Sequence, residues 1–145
     1  MALYVSICLL AELAALDDSA LHRGVVFAVV WGTTMGLALA HLFAFLLAGR
    51  LIEGKHIGAI TRATAIAQLA GGAGVAVIVS VVIVAVPTSV ELDAARYDLA
   101  AVIGVIGYVV ARRADASRAR AVVFAVIVTI TGVSVAALKQ WLGGH

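Results

Sequence analysis

The sequence predicts an all-α fold, a polytopic transmembrane bundle of five helices, and three observations predict it. Of the 145 residues, 64% are hydrophobic and the mean hydropathy is +1.16, whereas soluble domains are ~45–50% apolar. Residues 25–49 contain no Asp, Glu, Lys or Arg, which is long enough for a helix to cross the ~30 Å core of a bilayer. The charged residues fall in short clusters between such apolar runs. We therefore expect a single integral membrane domain over residues 1–145.

Charge and cysteine content exclude several classes of function. The formal net charge is +2, so the chain lacks the basic surface that nucleic-acid binding requires. Cys8 is the single cysteine, which rules out an internal disulfide, a redox pair and a cysteine-based metal site. The sequence contains no HExxH, GxSxG or phosphate-binding glycine motif. We therefore expect a protein that is not an enzyme and has no catalytic residues, no metal site and no cofactor.

Five apolar segments define the predicted helices, in chain order residues 2–16, 25–48, 61–86, 89–112 and 121–142. The first is short for a full span, so the alternative is four spans plus a short N-terminal helix. It has no basic start and contains Glu12, so we interpret it as a retained helix rather than a secretory signal. Pro87 ends the third helix. Thr88 and Glu91 then form the Thr-x-x-Glu pattern that is typical of a capping box at the start of the fourth helix.

The distribution of lysine and arginine predicts the orientation. The connections after the second and fourth helices lie on the same side and hold seven basic residues: Arg50, Lys55, Arg62, Arg112, Arg113, Arg118 and Arg120. The opposite side holds three: Arg23, Arg96 and Lys139. The positive-inside rule therefore predicts a cytoplasmic N-terminus and an external C-terminus. Eight arginines against two lysines, with abundant alanine, valine and glycine, indicate a GC-rich bacterial genome and hence a bacterial plasma membrane.

Small residues form a ridge along the second helix, one at every fourth position: Ala28, Gly32, Gly36, Ala40, Ala44 and Ala48. Lipid supplies no hydrophobic force between helices, so packing depends on the close backbone approach that small residues permit. We therefore expect the second helix to be the hub of the bundle. A second stripe lies on the third helix: Thr64, Gln68, Gly72, Ala76 and Ser80. We expect the two stripes to face each other, with His41 and Gln68 hydrogen-bonded.

Three polar residues within predicted spans are candidates for function, because ionisable groups are costly in a membrane. Glu12 lies near the outer end of the first helix, where a carboxyl can carry a proton or pair with Arg23 or His22. His41 lies on the cytoplasmic side of the midplane, where it can relay protons, bind a metal or hydrogen-bond a neighbouring helix. Gln68 lies at a similar depth on the third helix. Glu12 and His41 are expected to differ in depth by roughly 10 Å, so a direct contact within one chain would need the first helix to shift.

The segment YVSICLLAEL near the N-terminus resembles the first helix of the small multidrug resistance transporters. In that family a Leu-Ala-Glu element supplies the carboxylate that binds protons and drug, and the corresponding residue here is Glu12. The resemblance covers about ten residues. The chain departs from the family in its length, its predicted fifth helix and its lack of aromatic-rich middle helices, so the resemblance does not predict its function.

Two functions fit the sequence. The first is an accessory or structural subunit that packs against itself or other membrane subunits, which the small-residue stripes and short connections favour. The second is a small oligomeric proton- or cation-linked transporter or channel, in which Glu12, His41 and Gln68 line the path. The first is the main prediction. In either case the expected surroundings are the lipid bilayer and other membrane helices, with no nucleic acid.

Overall fold

The computed structural model describes residues 1–16, 23–53 and 59–143, without the side chains at positions 50, 52, 53, 59–61 and 143. Five helices make up this part of the chain: α1 (Ala2–Ala14), α2 (Arg23–Glu53), α3 (Ala59–Ala85), α4 (Glu91–Arg113) and α5 (Arg118–Gly143). The helices α2 to α5 are each long and apolar enough to cross a membrane. The predicted all-α membrane bundle is therefore confirmed. Helix α1 spans only about 20 Å, so the form observed is four spans plus a short N-terminal helix.

The hub of the bundle is α1. This helix contacts all four other helices, and Val5, Ser6, Leu9 and Leu13 are completely buried along it. The prediction that α2 is the hub is therefore wrong for contacts within the chain. The physical reason is length: α1 is short enough to pack against all four longer helices at once, although Tyr4 remains exposed.

The charged residues separate the bundle into two ends. At one end, which we call the ion-pair end, Arg23, Arg96 and Lys139 bind groups on other helices. At the opposite end, the arginine end, lie the α2–α3 and α4–α5 connections and the exposed residues Arg62, Arg112, Arg113, Arg118 and Arg120. The predicted grouping of the basic residues therefore agrees with the fold. Lys55 and the Arg50 side chain lie outside the described residues.

Helix α1 fills only the half of the bundle nearest the ion-pair end. Ala2 lies against Gly71, and Val5 against Gly72, at the middle of α3. From there α1 runs to the ion-pair end, where Arg96 donates hydrogen bonds to the carbonyl oxygen of Leu13 at 2.9 Å and that of Leu16 at 3.2 Å. These bonds satisfy carbonyls that a helix C-terminus leaves unpaired.

Beyond α1, toward the arginine end, the core-facing side of α2 becomes exposed. Val26 and Val30 are completely buried on this side. His41 and Ala48 continue the same side at helical spacing and are exposed. The packing around α2 is therefore tight in one half of the bundle and open in the other.

Glycines hold α4 and α5 together. A Cβ atom on Gly107 would lie 3.3 Å from the Cα of Ala125, and one on Gly104 would lie 3.1 Å from the Thr129 hydroxyl oxygen. Gly132 is buried on α5, and a Cβ there would meet Ile103 at 3.2 Å. Close approach of two backbones at such positions is what packs helices in lipid.

The start of α4 differs from the prediction. Helix α4 begins at Glu91 after the N-cap residue Val90, with no capping hydrogen bond from a side chain, so the predicted capping box of Thr88 and Glu91 is wrong. The Glu91 carboxylate is instead bound by Arg23, a partner far away in sequence. The Glu91 side chain therefore forms a long-range ion pair instead of the capping hydrogen bond that the local pattern predicted.

The α4–α5 connection has a defined geometry. Asp115 has a positive φ of 56°, the Ala116 amide donates to the Ala111 carbonyl, and the Asp115 amide donates to the Arg112 carbonyl. This is the Schellman pattern that ends a helix. The Ser117 hydroxyl then accepts a hydrogen bond from the Arg120 amide at 3.4 Å, which starts α5 three residues before the predicted position. The connection therefore fixes the two helices as an antiparallel pair.

Candidate functional site

The structure brings His41 and Gln68 together, as predicted, in a cleft next to the start of α1. The lining residues are Met1, Ala38, His41, Leu42, Ala65, Gln68 and Leu69. No hydrogen bond joins His41 to Gln68 in the part of the chain that the structure describes, so that element of the prediction is not observed. The cleft is too narrow to admit a water molecule, and a proton relay through water would need it to widen.

Glu12 forms an ion pair with Lys139 of α5. The Lys139 Nζ atom lies 2.6 Å from Glu12 Oε1, and both side chains are about two-fifths exposed, at 41% and 45%. The observed partner therefore differs from Arg23, one of the partners considered from the sequence. From Met1, which lines the His41 cleft, Glu12 is 11 residues along α1, or about 16 Å. Glu12 and His41 thus belong to separate sites, as the predicted difference in depth requires.

Arg23 and Arg96 hold the ion-pair end together. Arg23 Nε donates to Glu91 Oε2 at 2.9 Å, and Arg23 Nη2 donates to the Val86 carbonyl oxygen at 2.7 Å. Glu91 is only 3% exposed, so its charge is compensated inside the protein rather than by water. Arg96 binds Asp93 at 3.1 Å in addition to the carbonyls of α1. The two arginines therefore tie α1, α2 and the end of α3 to the start of α4.

Asp98 is an intramembrane carboxyl that the sequence analysis missed. It lies seven residues into α4 from Glu91, about 10 Å along the helix axis. Its Oδ2 atom is buried without a hydrogen-bond partner among the described residues, which is a costly arrangement. The sequence signal was the spacing of seven from Glu91, which puts the two carboxyls on one side of α4.

The small-residue ridge of α2 lies at the surface of the protein, including its last member, Ala48, which is on the side of α2 that is open beyond α1. All six of its members, Ala28, Gly32, Gly36, Ala40, Ala44 and Ala48, are exposed. A Cβ atom on Gly32 or Gly36 would meet nothing within 4 Å. By contrast, the stripe on α3 packs internally: Gly72 is buried against Val5 and Thr34, and Ala76 is completely buried. The two predicted stripes therefore do not face each other.

Trp31 of α2, which no sequence pattern explained, binds Ser80 of α3. Its Nε1 atom donates a hydrogen bond to the Ser80 hydroxyl oxygen at 3.1 Å. Such a bond between transmembrane helices contributes about 0.6 kcal/mol on average. Trp31 therefore has a structural role as a link between α2 and α3.

The described ranges contain no candidate metal site, because no group of three or more His, Cys, Asp or Glu residues in them could hold a metal ion.

Comparison with known proteins identifies no relative of the chain. No family of known proteins, no curated protein and no solved structure matches the chain.

Proposed function

We propose that the chain is an accessory or structural membrane subunit without catalytic activity of its own, which assembles with other membrane subunits or with further copies of itself through the α2 ridge. The observation that carries this proposal is the exposure of all six ridge residues. Elsewhere in the same chain, small residues at helical spacing are used for close packing, as at Gly72 and Gly107. The two glycines of the ridge, Gly32 and Gly36, make no contact of this kind.

The shape of α2 supports an assembly surface along the ridge. Bulky side chains border it, with Leu39 58%, Phe43 70% and Leu47 51% exposed. A strip of glycine and alanine between large apolar side chains forms a shallow groove that a second helix can enter. Lipid chains gain little packing energy from such a groove, because small residues strengthen packing chiefly where two helix backbones approach each other. The expected occupant is therefore a transmembrane helix.

The orientation is part of the same proposal. The arginine end faces the cytoplasm of a bacterium and the C-terminus lies outside, because lysine and arginine concentrate in cytoplasmic connections. The predicted cytoplasmic N-terminus required α1 to cross the membrane. Since α1 begins near the middle of α3, the proposal is restricted to the C-terminus and to helices α2 to α5.

The test is the substitution Gly36→Leu, which is expected to disrupt assembly without unfolding the protein. A Cβ atom at Gly36 meets nothing in the chain, whereas a leucine side chain would hold a partner helix away. We expect the assembled fraction to fall about tenfold, since overpacking a close contact costs roughly 1–3 kcal/mol. The measurement is light scattering after size-exclusion chromatography in mild detergent, with circular dichroism to verify helix content.

Two control variants accompany that test. Val126→Leu changes an exposed position on α5 and is expected to leave assembly unchanged. Glu12→Gln neutralises a carboxylate in the Lys139 pair and is expected to affect assembly far less than Gly36→Leu. If Gly36→Leu assembles as the wild type does, the ridge is not an assembly surface.

A second function, proton- or cation-linked transport, is supported by a different observation, the unpartnered Oδ2 atom of Asp98. Because the Glu12 carboxylate is paired with Lys139, transport would depend chiefly on Asp98. His41 and Gln68, in the cleft next to the start of α1, would form a second part of the path. In proteoliposomes carrying a pH gradient, Asp98→Asn and His41→Ala would then abolish a flux that the wild type shows. Asp93→Asn is the control, because Asp93 is exposed and paired with Arg96. Absence of flux in the wild type, or equal flux in all variants, would rule this function out.

A further inference from the structure

An apolar groove with a single arginine at one end lies between α2 and α3. Its lining residues are Leu42, Phe45 and Leu46 of α2 and Arg62, Ala65, Ile66 and Leu69 of α3, and they enclose about 280 Å³. We call this feature the Arg62 groove. Its volume is just below the usual range for ligand sites, about 300–1,000 Å³, and all its lining residues except Arg62 are apolar.

The position of the groove matches the layers of a membrane. Arg62 lies in the first turn of α3, which runs from Ala59 to Ala85. A helix of this length, about 40 Å, is longer than the ~30 Å hydrocarbon core of a bilayer, so its first turn lies at the depth of the lipid headgroups. Leu69 lies seven residues further, about 10 Å toward the membrane centre. The groove therefore has a cationic end in the headgroup layer and an apolar body in the hydrocarbon layer.

A second groove between the same two helices provides an internal comparison. It lies nearer the ion-pair end and is lined by Phe27, Trp31, Val77, Ser80, Val81, Val84 and Ala85. Its volume is larger, about 480 Å³, but no charged residue lines it. Of these two grooves, the Arg62 groove is therefore the one that can distinguish ligands by charge.

From this arrangement we propose that the Arg62 groove is a binding site for an anionic phospholipid of the leaflet at the arginine end. One acyl chain lies along Leu42, Phe45 and Leu69, and the headgroup phosphate accepts hydrogen bonds from the Arg62 guanidinium. Arginine suits this role because its planar group can donate two parallel hydrogen bonds to a phosphate. The site is independent of the proposed α2 ridge, so either can fail without the other.

Fluorescence quenching by brominated lipids tests the site in vesicles of defined composition. The reporter has the substitutions Phe45→Trp, Trp31→Phe and Trp141→Phe, so that its single tryptophan lies in the Arg62 groove. A second reporter, Trp141→Phe alone, retains Trp31 in the uncharged groove. Each is reconstituted in mixtures of phosphatidylglycerol and phosphatidylcholine in which one lipid or the other carries bromine on its acyl chains.

We expect phosphatidylglycerol to be enriched about fivefold at the Phe45→Trp reporter, the effect of one basic residue at a membrane surface. The Trp31 reporter is expected to show no preference. Adding Arg62→Gln to the Phe45→Trp reporter should remove the preference, whereas Arg62→Lys should retain part of it. Arg120→Gln removes an exposed charge at the same end of the protein and should leave the preference intact.

Several results would overturn the proposal. Equal quenching by the two lipids at the Phe45→Trp reporter would show that the groove does not select charge. An equal loss with Arg120→Gln and Arg62→Gln would show a general surface attraction rather than a site. Protection of the Phe45→Trp reporter from both lipids would show that protein covers the groove.

Discussion

The substitution Gly107→Leu is expected to separate α4 from α5 and to destabilise the protein by about 3 kcal/mol. A Cβ atom at this position would lie 3.3 Å from the Cα of Ala125. Because that neighbour is backbone, it cannot rotate away as a side chain could, and the two helices must move apart. The loss is measured as the free energy of unfolding in mixed micelles, titrated with a denaturing detergent and followed by circular dichroism.

The matched control for this experiment is Gly74→Leu. Both substitutions introduce the same side chain and the same gain in helix propensity, but a Cβ atom at Gly74 meets nothing within 4 Å. We therefore expect Gly74→Leu to be at least as stable as the wild type. Equal stability of the Gly107 and Gly74 variants would show that the α4–α5 contact is not as close as the structure has it.

Loss of the Glu91 carboxylate is expected to cause the second large decrease in the free energy of unfolding. In Glu91→Ala, Arg23 loses its 2.9 Å partner, and removing one member of a buried pair costs about 3–5 kcal/mol. Arg23 is 37% exposed and keeps its hydrogen bond to the Val86 carbonyl, so water screens its charge and we expect a cost below that range, about 2 kcal/mol. The same unfolding titration measures it.

Asp93→Ala is the control for Glu91→Ala, since both remove an acidic residue from the first turn of α4. Asp93 is 60% exposed and pairs with Arg96 three residues away, an arrangement that contributes at most about 1 kcal/mol. A double-mutant cycle with Arg23→Ala isolates the coupling between Arg23 and Glu91. If Glu91→Ala and Asp93→Ala cost the same, the Arg23–Glu91 pair does not hold α2 to α4.

Hydropathy and charge were sufficient to predict an all-α bundle of five helices and the basic residues at each end, because both properties are local in sequence, but they left open whether four or five helices span. Hydroxyl groups behaved as local chemistry predicts: Thr129 and Thr131 donate hydrogen bonds to carbonyls four residues earlier, at 2.9 Å each. The short length of α1 was also visible from the sequence. These features depend on single segments and need no knowledge of how the segments meet.

The direction in which each small-residue stripe faces could not be predicted. The α2 ridge is regular over six positions and is exposed, whereas α5 buries the less regular series Ala121, Gly132 and Ala136. Both patterns permit close packing, and the choice depends on the partner that each helix meets. The predicted hub failed for this reason, since regularity of a stripe does not reveal whether its partner belongs to the same chain.

Local sequence patterns could not predict the ion pairs either. Arg23 lies 68 residues from Glu91 in sequence, and Glu12 is joined to Lys139 from the opposite part of the chain. The Glu12–Lys139 pair follows from the packing of α1 against α5, and the Arg23–Glu91 pair from the approach of the start of α2 to the start of α4. Asp98 was missed because it lies at the polar start of an otherwise apolar span.

Native mass spectrometry tests the α2 ridge most directly, using wild-type protein and Gly36→Leu extracted side by side from the host membrane. We expect the wild type to carry either a further copy of the chain or foreign membrane subunits in fixed stoichiometry, and Gly36→Leu to lose them while keeping its helix content. A foreign subunit would at once identify the complex. A wild type that is a bare monomer, or a Gly36→Leu variant that retains every partner, would contradict the account.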